Sequence, residues 1–244
     1  MINIVIPMAG LGSRFVNAGY ELPKPFIDVD GKPMIVRVIE NLQVKDSRFI
    51  LIARAEHIDA HQDLVKRISE EYNATFVSVD KLTEGTVCTV LLARAYINND
   101  TPLLIANSDQ IVDIEISDYI EDCSKRKLDG SILTFIEEDM NNKWSYARVN
   151  SEGLVMEVKE KVAISDIATV GIYYYSRGKD FVNSAIDMIV NNDRCNNEFY
   201  TCPTYNYAIS NGLNIGHYII DRYKMHGLGI PEDLDNYLEY LKSV

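Results

Sequence analysis

The chain opens on a short apolar run, Ile2 to Ile6, that breaks at once into Pro7-Met8-Ala9-Gly10-Leu11-Gly12-Ser13-Arg14. The run is β-branched, nearly continuous and short, which predicts a parallel strand buried on both faces. Two glycines in the exit loop let backbone amides close on a ligand. Successive N–H groups in such a turn form an anion-binding concavity. Pro23-Lys24-Pro25 makes a second loop, and Arg14 and Lys24 bring two cations to the same side. Met1 to Met34 therefore reads as a strand followed by a triphosphate-binding loop. Two other phosphate loops fit worse. The dinucleotide fingerprint needs a third glycine where this chain has Phe15, and the P-loop needs a hydroxyl residue after Gly-Lys, where Gly31-Lys32 is followed by Pro33. A strand-to-helix turn with glycines for geometry alone is the bland alternative for a lone Gly-x-Gly.

The same strand signature recurs at 49–53, 75–79 and 102–106, with helical patterns at 33–42, 58–72 and 86–95 between them. This alternation predicts a parallel sheet with right-handed crossovers. Ligands of such sheets bind beyond the carboxyl ends of the strands. Gly10 to Arg14, Gly85 and Asp109 all fall there. After about Lys127 the pattern changes to strands at 130–136, 144–149, 154–159 and 168–175, with a hairpin turn at 150–153. Helices return at 179–190 and 232–241, with a strand at 214–219 between them. The expected fold is α/β, a Rossmann-like mixed, mostly parallel central sheet flanked by helices. The expected organisation is one domain over 1–244, with a nucleotide-binding half (1–127) and an acceptor-binding half (128–244).

A chain of 244 residues, 47% hydrophobic and 25% charged, suits one large α/β domain. Its net charge of −12 argues against an extended nucleic-acid surface, which needs clustered Lys and Arg. Lys125-Arg126-Lys127 reads as the end of a solvated helix. With no long apolar span and no secretory signal, no membrane partner is expected and a cytoplasmic location is. Cys88, Cys123, Cys195 and Cys202 lack metal or redox spacing and fit reduced thiols. His57 and His61 are spaced to share a helix face, but Ile58 stands where a metalloprotease has Glu, so a plain surface helix is expected.

Ala9-Gly10-Leu11-Gly12-Ser13-Arg14, Pro23-Lys24-Pro25 and Gly31-Lys32-Pro33-Met34-Ile35 together resemble the sugar-nucleotide pyrophosphorylases, or NTP transferases. Further similarities lie at Glu84-Gly85-Thr86, Asn107-Ser108-Asp109, Trp144-Ser145-Tyr146-Ala147, Glu160-Lys161, Val170-Gly171-Ile172-Tyr173, Asn197-Glu198-Phe199-Tyr200 and Gly229-Ile230-Pro231-Glu232-Asp233-Leu234. They cover nearly the whole chain. The resemblance implies a GT-A-like nucleotidyltransferase fold and attack by an acceptor phosphate on the α-phosphorus of an NTP, with pyrophosphate leaving. It implies that Arg14 clamps the pyrophosphate portion, Lys24 meets the α-phosphate, Asp109 holds Mg²⁺ and Lys161 holds the acceptor phosphate. Met8, Ala9, Gly10, Leu11, Gly12, Ser13, Glu84, Gly85, Thr86 and Ser108 fall to the nucleotide. Tyr146, Glu160, Gly171, Asn197, Glu198 and Tyr200 fall to the acceptor. The bland alternatives are a helix cap at Asp109, exposed strand charge at 160–161 and a polar turn at 197–200. Tyr173-Tyr174-Tyr175 reads as strand packing on alternate faces.

Departures from the family pattern lie on the acceptor side. Gly227 stands where relatives often carry a second metal-binding aspartate, Ile230 replaces threonine, Val162 replaces proline, and Ala147 replaces glycine where a hexose would approach. The resemblance therefore leaves the acceptor open between a sugar 1-phosphate and a non-sugar phosphate. Compact relatives include enzymes coupling CTP to phosphocholine and capsule-pathway cytidylyltransferases acting on phosphoglutamine. A pyrimidine base is favoured and CTP is among the choices. A GT-A glycosyltransferase and a non-catalytic nucleotide sensor are the competing classes. The Arg14–Lys24 pair and the lack of Asp-x-Asp at 107–109 weigh against the glycosyltransferase. Oligomeric state, including a homodimer, stays open.

Overall fold

In the computed structural model, which describes residues 1–243, the strands are β1 (Ile2–Pro7), β2 (Asp28–Val29), β3 (Lys32–Pro33), β4 (Ser47–Arg54), β5 (Ala74–Val79), β6 (Leu103–Ala106) and β7 (Gln110–Val112), then β8 (Gly130–Ile136), β9 (Ser145–Val149), β10 (Val155–Glu160), β11 (Ile167–Tyr175), β12 (Ile215–Ile219) and β13 (Met225–Gly227). The helices are α1 (Ser13–Asn17), α2 (Met34–Leu42), α3 (Ala55–Ala60), α4 (Gln62–Glu71), α5 (Thr86–Leu91), α6 (Arg94–Ile97), α7 (Ile116–Lys125), α8 (Gly178–Val190), α9 (Thr204–Ser210) and α10 (Pro231–Ser243). The opening apolar run becomes the parallel β1, flanked by β4 and β6. β5 adds a further parallel strand beyond β4. β11 then joins β6 antiparallel and carries β8 and β9. The result is a nine-stranded mixed sheet whose first half is parallel.

Alternation explains how one sheet is covered twice. Ile2, Ile4 and Ile6 of β1 pack into one apolar layer with α2, α7 and α10, while Val5 faces the layer built with α5, α6, α8 and α9. Tyr174 joins the first layer and Tyr173 and Tyr175 the second, as strand geometry requires. A sheet buried on both faces must bring its loops, and hence its chemistry, out at the strand ends.

Local differences from the sequence reading have packing causes. The helix expected over 58–72 is two helices, α3 and α4, broken at His61, whose ring packs edge-on against buried Phe26 at 5.2 Å. His57 and His61 therefore do not share a helix. The segment 86–95 likewise divides into α5 and α6 at buried Ala93. Pro33 lies just before α2, not in its first turn. Short β7 and β13 pair with each other and carry too few residues for a periodicity. On α2, the Asn41 side-chain amide takes the place of a strand neighbour for β7: it donates to Val112 O at 2.8 Å and accepts from Val112 N at 2.9 Å.

Distant segments meet where 84–86 lies against 199–201. Phe199 N donates to Glu84 O at 2.8 Å and Val87 N to Phe199 O at 3.0 Å. Gly85 sits at φ 122, and a Cβ there would lie 2.5 Å from the Phe199 backbone. Both the dihedral and the contact exclude a side chain. Gly85→Ala is expected to lower stability by at least about 2 kcal/mol, read as a drop in denaturation midpoint. An unchanged midpoint would show that the two segments can part freely.

Candidate active site

A cleft of about 330 Å³ lies beyond the carboxyl ends of β1 and β6. It is lined by Met8, Ala9, Gly10 and Gly12 from the first loop, by Lys24 from the second, by Gly85 and Thr86, and by Ser108 and Asp109. No backbone–backbone bond among the described residues uses the N–H groups of Ala9 to Arg14. Unsatisfied amides gathered at a strand end form a ready anion site. Met8 N, by contrast, is spent on Ile52 O, which fixes where the loop leaves the sheet.

Lys24 Nζ is hydrogen-bonded to Asp109 Oδ2, so the cation and the carboxylate neutralise each other, both about four-fifths buried. Arg14 is exposed and makes no ion pair among the described residues. Its guanidinium is free to reach an anion at the cleft mouth, as are exposed Leu11 and Ser13, although none of the three lines the cleft. Glu84 stands outside as well: its carboxylate pairs with Arg194 at 2.5 Å, and only its backbone serves the contact with Phe199.

A second cleft of about 240 Å³ adjoins the first, sharing Thr86 and Asn107 in its wall. Glu160, Gly171 and Tyr200 line it. Lys161 stands beside it, with Nζ donating to Tyr200 Oη at 2.8 Å and 4.5 Å above the Tyr200 ring. Glu198 lines the first cleft instead, and Asn197 lies in an exposed turn away from both. Two readings of the β9 segment are corrected. Tyr146 is fully buried, with its hydroxyl on Asn141 O at 2.5 Å, so it braces the wall and does not line it. Ala147, on the face opposite Tyr146, is also fully buried and lines neither cleft. Ser145 shares that face two residues earlier, at the start of β9, and is the one presented to the cleft; its hydroxyl donates to Glu160. Gln110, Lys143 and Thr201 are lining residues that no motif singled out, and Asn107 and Ser145 lay inside motifs without being given a role. The signal for Gln110 lay one residue beyond Asp109, on a strand too short to read.

Burial pushes the Glu160 carboxyl above the usual range, although the Ser145 hydroxyl and Lys161 offset part of the cost. Lys161 is held up by Tyr200 and Glu160 against the lowering effect of its own burial. A larger groove of about 620 Å³, lined mainly by residues 136–139 and 218–222, sets four carboxylates against the two cations Arg222 and Lys224, a balance that does not suit a phosphate. Size alone would favour it; the chemistry favours the paired clefts.

Among the described residues, no group of three or more His, Cys, Asp and Glu is placed to hold a metal ion. Mg²⁺ is ordinarily held by one or two carboxylates together with substrate phosphates and water. Asp109 at the cleft fits that mode, and an all-protein cage does not. Gly227 supplies no carboxylate; Asp233 Oδ2 lies 3.5 Å from where a Gly227 Cβ would stand.

A family model described as Nucleotidyl transferase matches residues 4–212. The chain belongs to that family. It is 25% identical over 176 residues to the bifunctional protein GlmU of Methanococcus aeolicus, covering 71% of this chain and 40% of that one. It is 28% identical over 174 residues to a mannose-1-phosphate guanyltransferase of Schizosaccharomyces pombe, covering 69% and 48%. The chain thus spans less than half the length of these two relatives. Among solved structures, a nucleoside-diphosphate-sugar pyrophosphorylase from Vibrio cholerae RC9 superposes with a TM-score of 0.80 at 24% identity, over 97% of this chain and 99% of that one. The inositol-1-phosphate CTP transferase of T. maritima does so at 0.75 and 14% identity, over 99% and 95%. These two likenesses are of fold. Among the described residues, no helix is long and apolar enough to cross a membrane.

The raised Glu160 carboxyl has a measurable consequence. The folded state keeps its proton to a higher pH than the unfolded chain, whose carboxyl titrates near its ordinary value of 4.5. The folded state therefore binds more protons in the window just above 4.5, and the contribution of this group to stability falls as pH rises through it. Glu160→Gln is expected to flatten the stability profile there, measured as melting temperature from pH 4 to pH 7. A parallel profile for wild type and variant would refute it.

Proposed function

We propose that this chain joins a nucleoside monophosphate to a small phosphorylated acceptor. An acceptor phosphate oxygen bonds to the α-phosphorus of an NTP, the bond to the bridging oxygen breaks, and pyrophosphate leaves. The observation that carries this reading is the run of unpaired amides from Ala9 to Arg14 facing a cleft with Lys24 and Asp109, next to a second cleft walled by Thr86 and Asn107. Binding two substrates in adjoining clefts turns a bimolecular reaction into an oriented one. Charge that develops on phosphoryl oxygens meets fixed donors.

In this reading the amides of 9–13 hold phosphate and base edges, Arg14 folds over the leaving pyrophosphate and Lys24 turns from Asp109 to the α-phosphate. A divalent cation, when bound, neutralises phosphate charge and rigidifies the triphosphate. Asp109 would hold it, released by the same movement of Lys24. Lys161, beside Tyr200, steadies the acceptor phosphate. We read 1–244 as one domain whose halves interlock: Glu198 of the second half reaches the nucleotide cleft, and Asn107 and Gln110 of the first reach the acceptor cleft. A pyrimidine nucleotide is favoured. The fold likeness to a CTP transferase supports it, while the guanyltransferase relative keeps GTP in the test. A cytoplasmic role in making surface-polysaccharide precursors suits the acidic chain and its membrane-free helices.

Pyrophosphate release is the deciding measurement, with four NTPs and Mg²⁺ against a panel of phosphorylated acceptors. Lys24→Ala is expected to cut turnover by at least about 100-fold while NTP binding, followed by thermal shift, is largely kept. Asp109→Ala is expected to abolish the dependence on Mg²⁺ together with turnover. Full activity in Asp109→Ala would exclude its metal role. Absence of pyrophosphate from every pairing would leave a glycosyltransferase or a nucleotide sensor.

A further inference from the structure

Gln110 is buried to within 6% of its surface, and its amide nitrogen has no hydrogen-bond partner. It lines the second cleft. Its backbone is held by pairing with Gly227 of β13, and β7 is pinned from α2 through Asn41. The side chain is therefore presented by a fixed backbone, and its amide nitrogen is satisfied by nothing among the described residues. Two polar groups beside it are engaged, Ser145 with Glu160 and Lys161 with Tyr200. A buried amide left unpaired lowers stability, and one at a cleft wall calls for a partner from outside the chain.

We propose that Gln110 reads the acceptor, and that the acceptor carries oxygen on the part remote from its phosphate, as a polyol or an amino-acid-like phosphate does. This rests on the nucleotidyl-transfer reading and narrows its substrate class. The cleft asks for two things from one ligand: a lone pair for the Gln110 amide and a donor for the Glu160 carboxylate. A hydroxyl supplies both. A quaternary ammonium supplies neither, whichever way the amide is turned, and it would leave Gln110 as orphaned as before. The choice between sugar-like and choline-like acceptors therefore falls to the oxygen-bearing class.

The test uses the full chain with mannose 1-phosphate, myo-inositol 1-phosphate, O-phosphoserine and phosphocholine, by pyrophosphate release and by calorimetric titration. At least one oxygen-bearing phosphate is expected to bind and turn over, and phosphocholine is not. Gln110→Leu is expected to raise the KM or Kd of that acceptor about tenfold or more and to leave the NTP KM unchanged. Its melting temperature without ligand should match or exceed that of the wild type, an outcome a structural glutamine would not give. Gln110→Asn, which keeps the amide on a shorter arm, should retain part of the affinity. Preferred binding of phosphocholine, an unchanged acceptor constant in Gln110→Leu, or a fall in its melting temperature would each overturn the proposal. If no pyrophosphate forms, the transfer reading fails, and titration still decides Gln110: binding of none of the four phosphates, or binding that survives Gln110→Leu, overturns it.

Discussion

The site depends on how β6 ends. Asn107 N donates to Gly171 O at 3.1 Å, carrying the antiparallel pairing of β6 and β11 one residue past the strand. Gly171 sits at φ 97, where β11 shifts register against β8, and its missing side chain leaves room for the Asn107 amide, 2.2 Å from where a Cβ would lie. From that anchor three successive residues take up three tasks. Ser108 closes the first cleft, Asp109 faces Lys24 and Gln110 enters the second cleft. A shift of one residue in this register would exchange the faces of all of them.

Around that anchor, charge is arranged locally against an acidic background of −12. The cleft next to Asp109 gathers Lys24, exposed Arg14 and a row of unpaired amides. The Lys24–Asp109 pair keeps two ionised groups satisfied at low exposure when no substrate is present. Such a pair adds little net stability, but it leaves both members near the position where a phosphate and a cation would take them over. In the second cleft, buried Glu160 and unpaired Gln110 represent stability forgone in the free chain.

The legibility of these features differs with their range in the sequence. The loop 9–14 and Lys24 were readable because glycine pairs and a cation between prolines have local meaning, and β1, β4 and β6 because a strand buried twice is a continuous apolar run; β5, half-buried at the sheet edge, was readable from its β-branched and aromatic residues. The break at His61 was not, since its cause is Phe26, far off in sequence. β7 and β13 are three residues each and exist through their partners. Gly85 could be read as a special backbone position, but the neighbour that requires it is Phe199, more than a hundred residues on. Tyr146 carried the right motif with the wrong facing, because one residue of strand register separates a wall from a lining; Ala147 shares the face of Ser145 but lies buried further along β9.

By itself, the sequence determined that this chain builds an α/β sheet with an anion-ready loop at the end of its first strand, since both are encoded by neighbouring residues. Only the tertiary structure decided which side chains line the two clefts: Glu198 in the first, and in the second Ser145 in place of Tyr146 and Gln110 without a partner among the described residues. Those outcomes follow from pairing register and long-range contact, where a shift of one position turns a buried side chain toward the ligand.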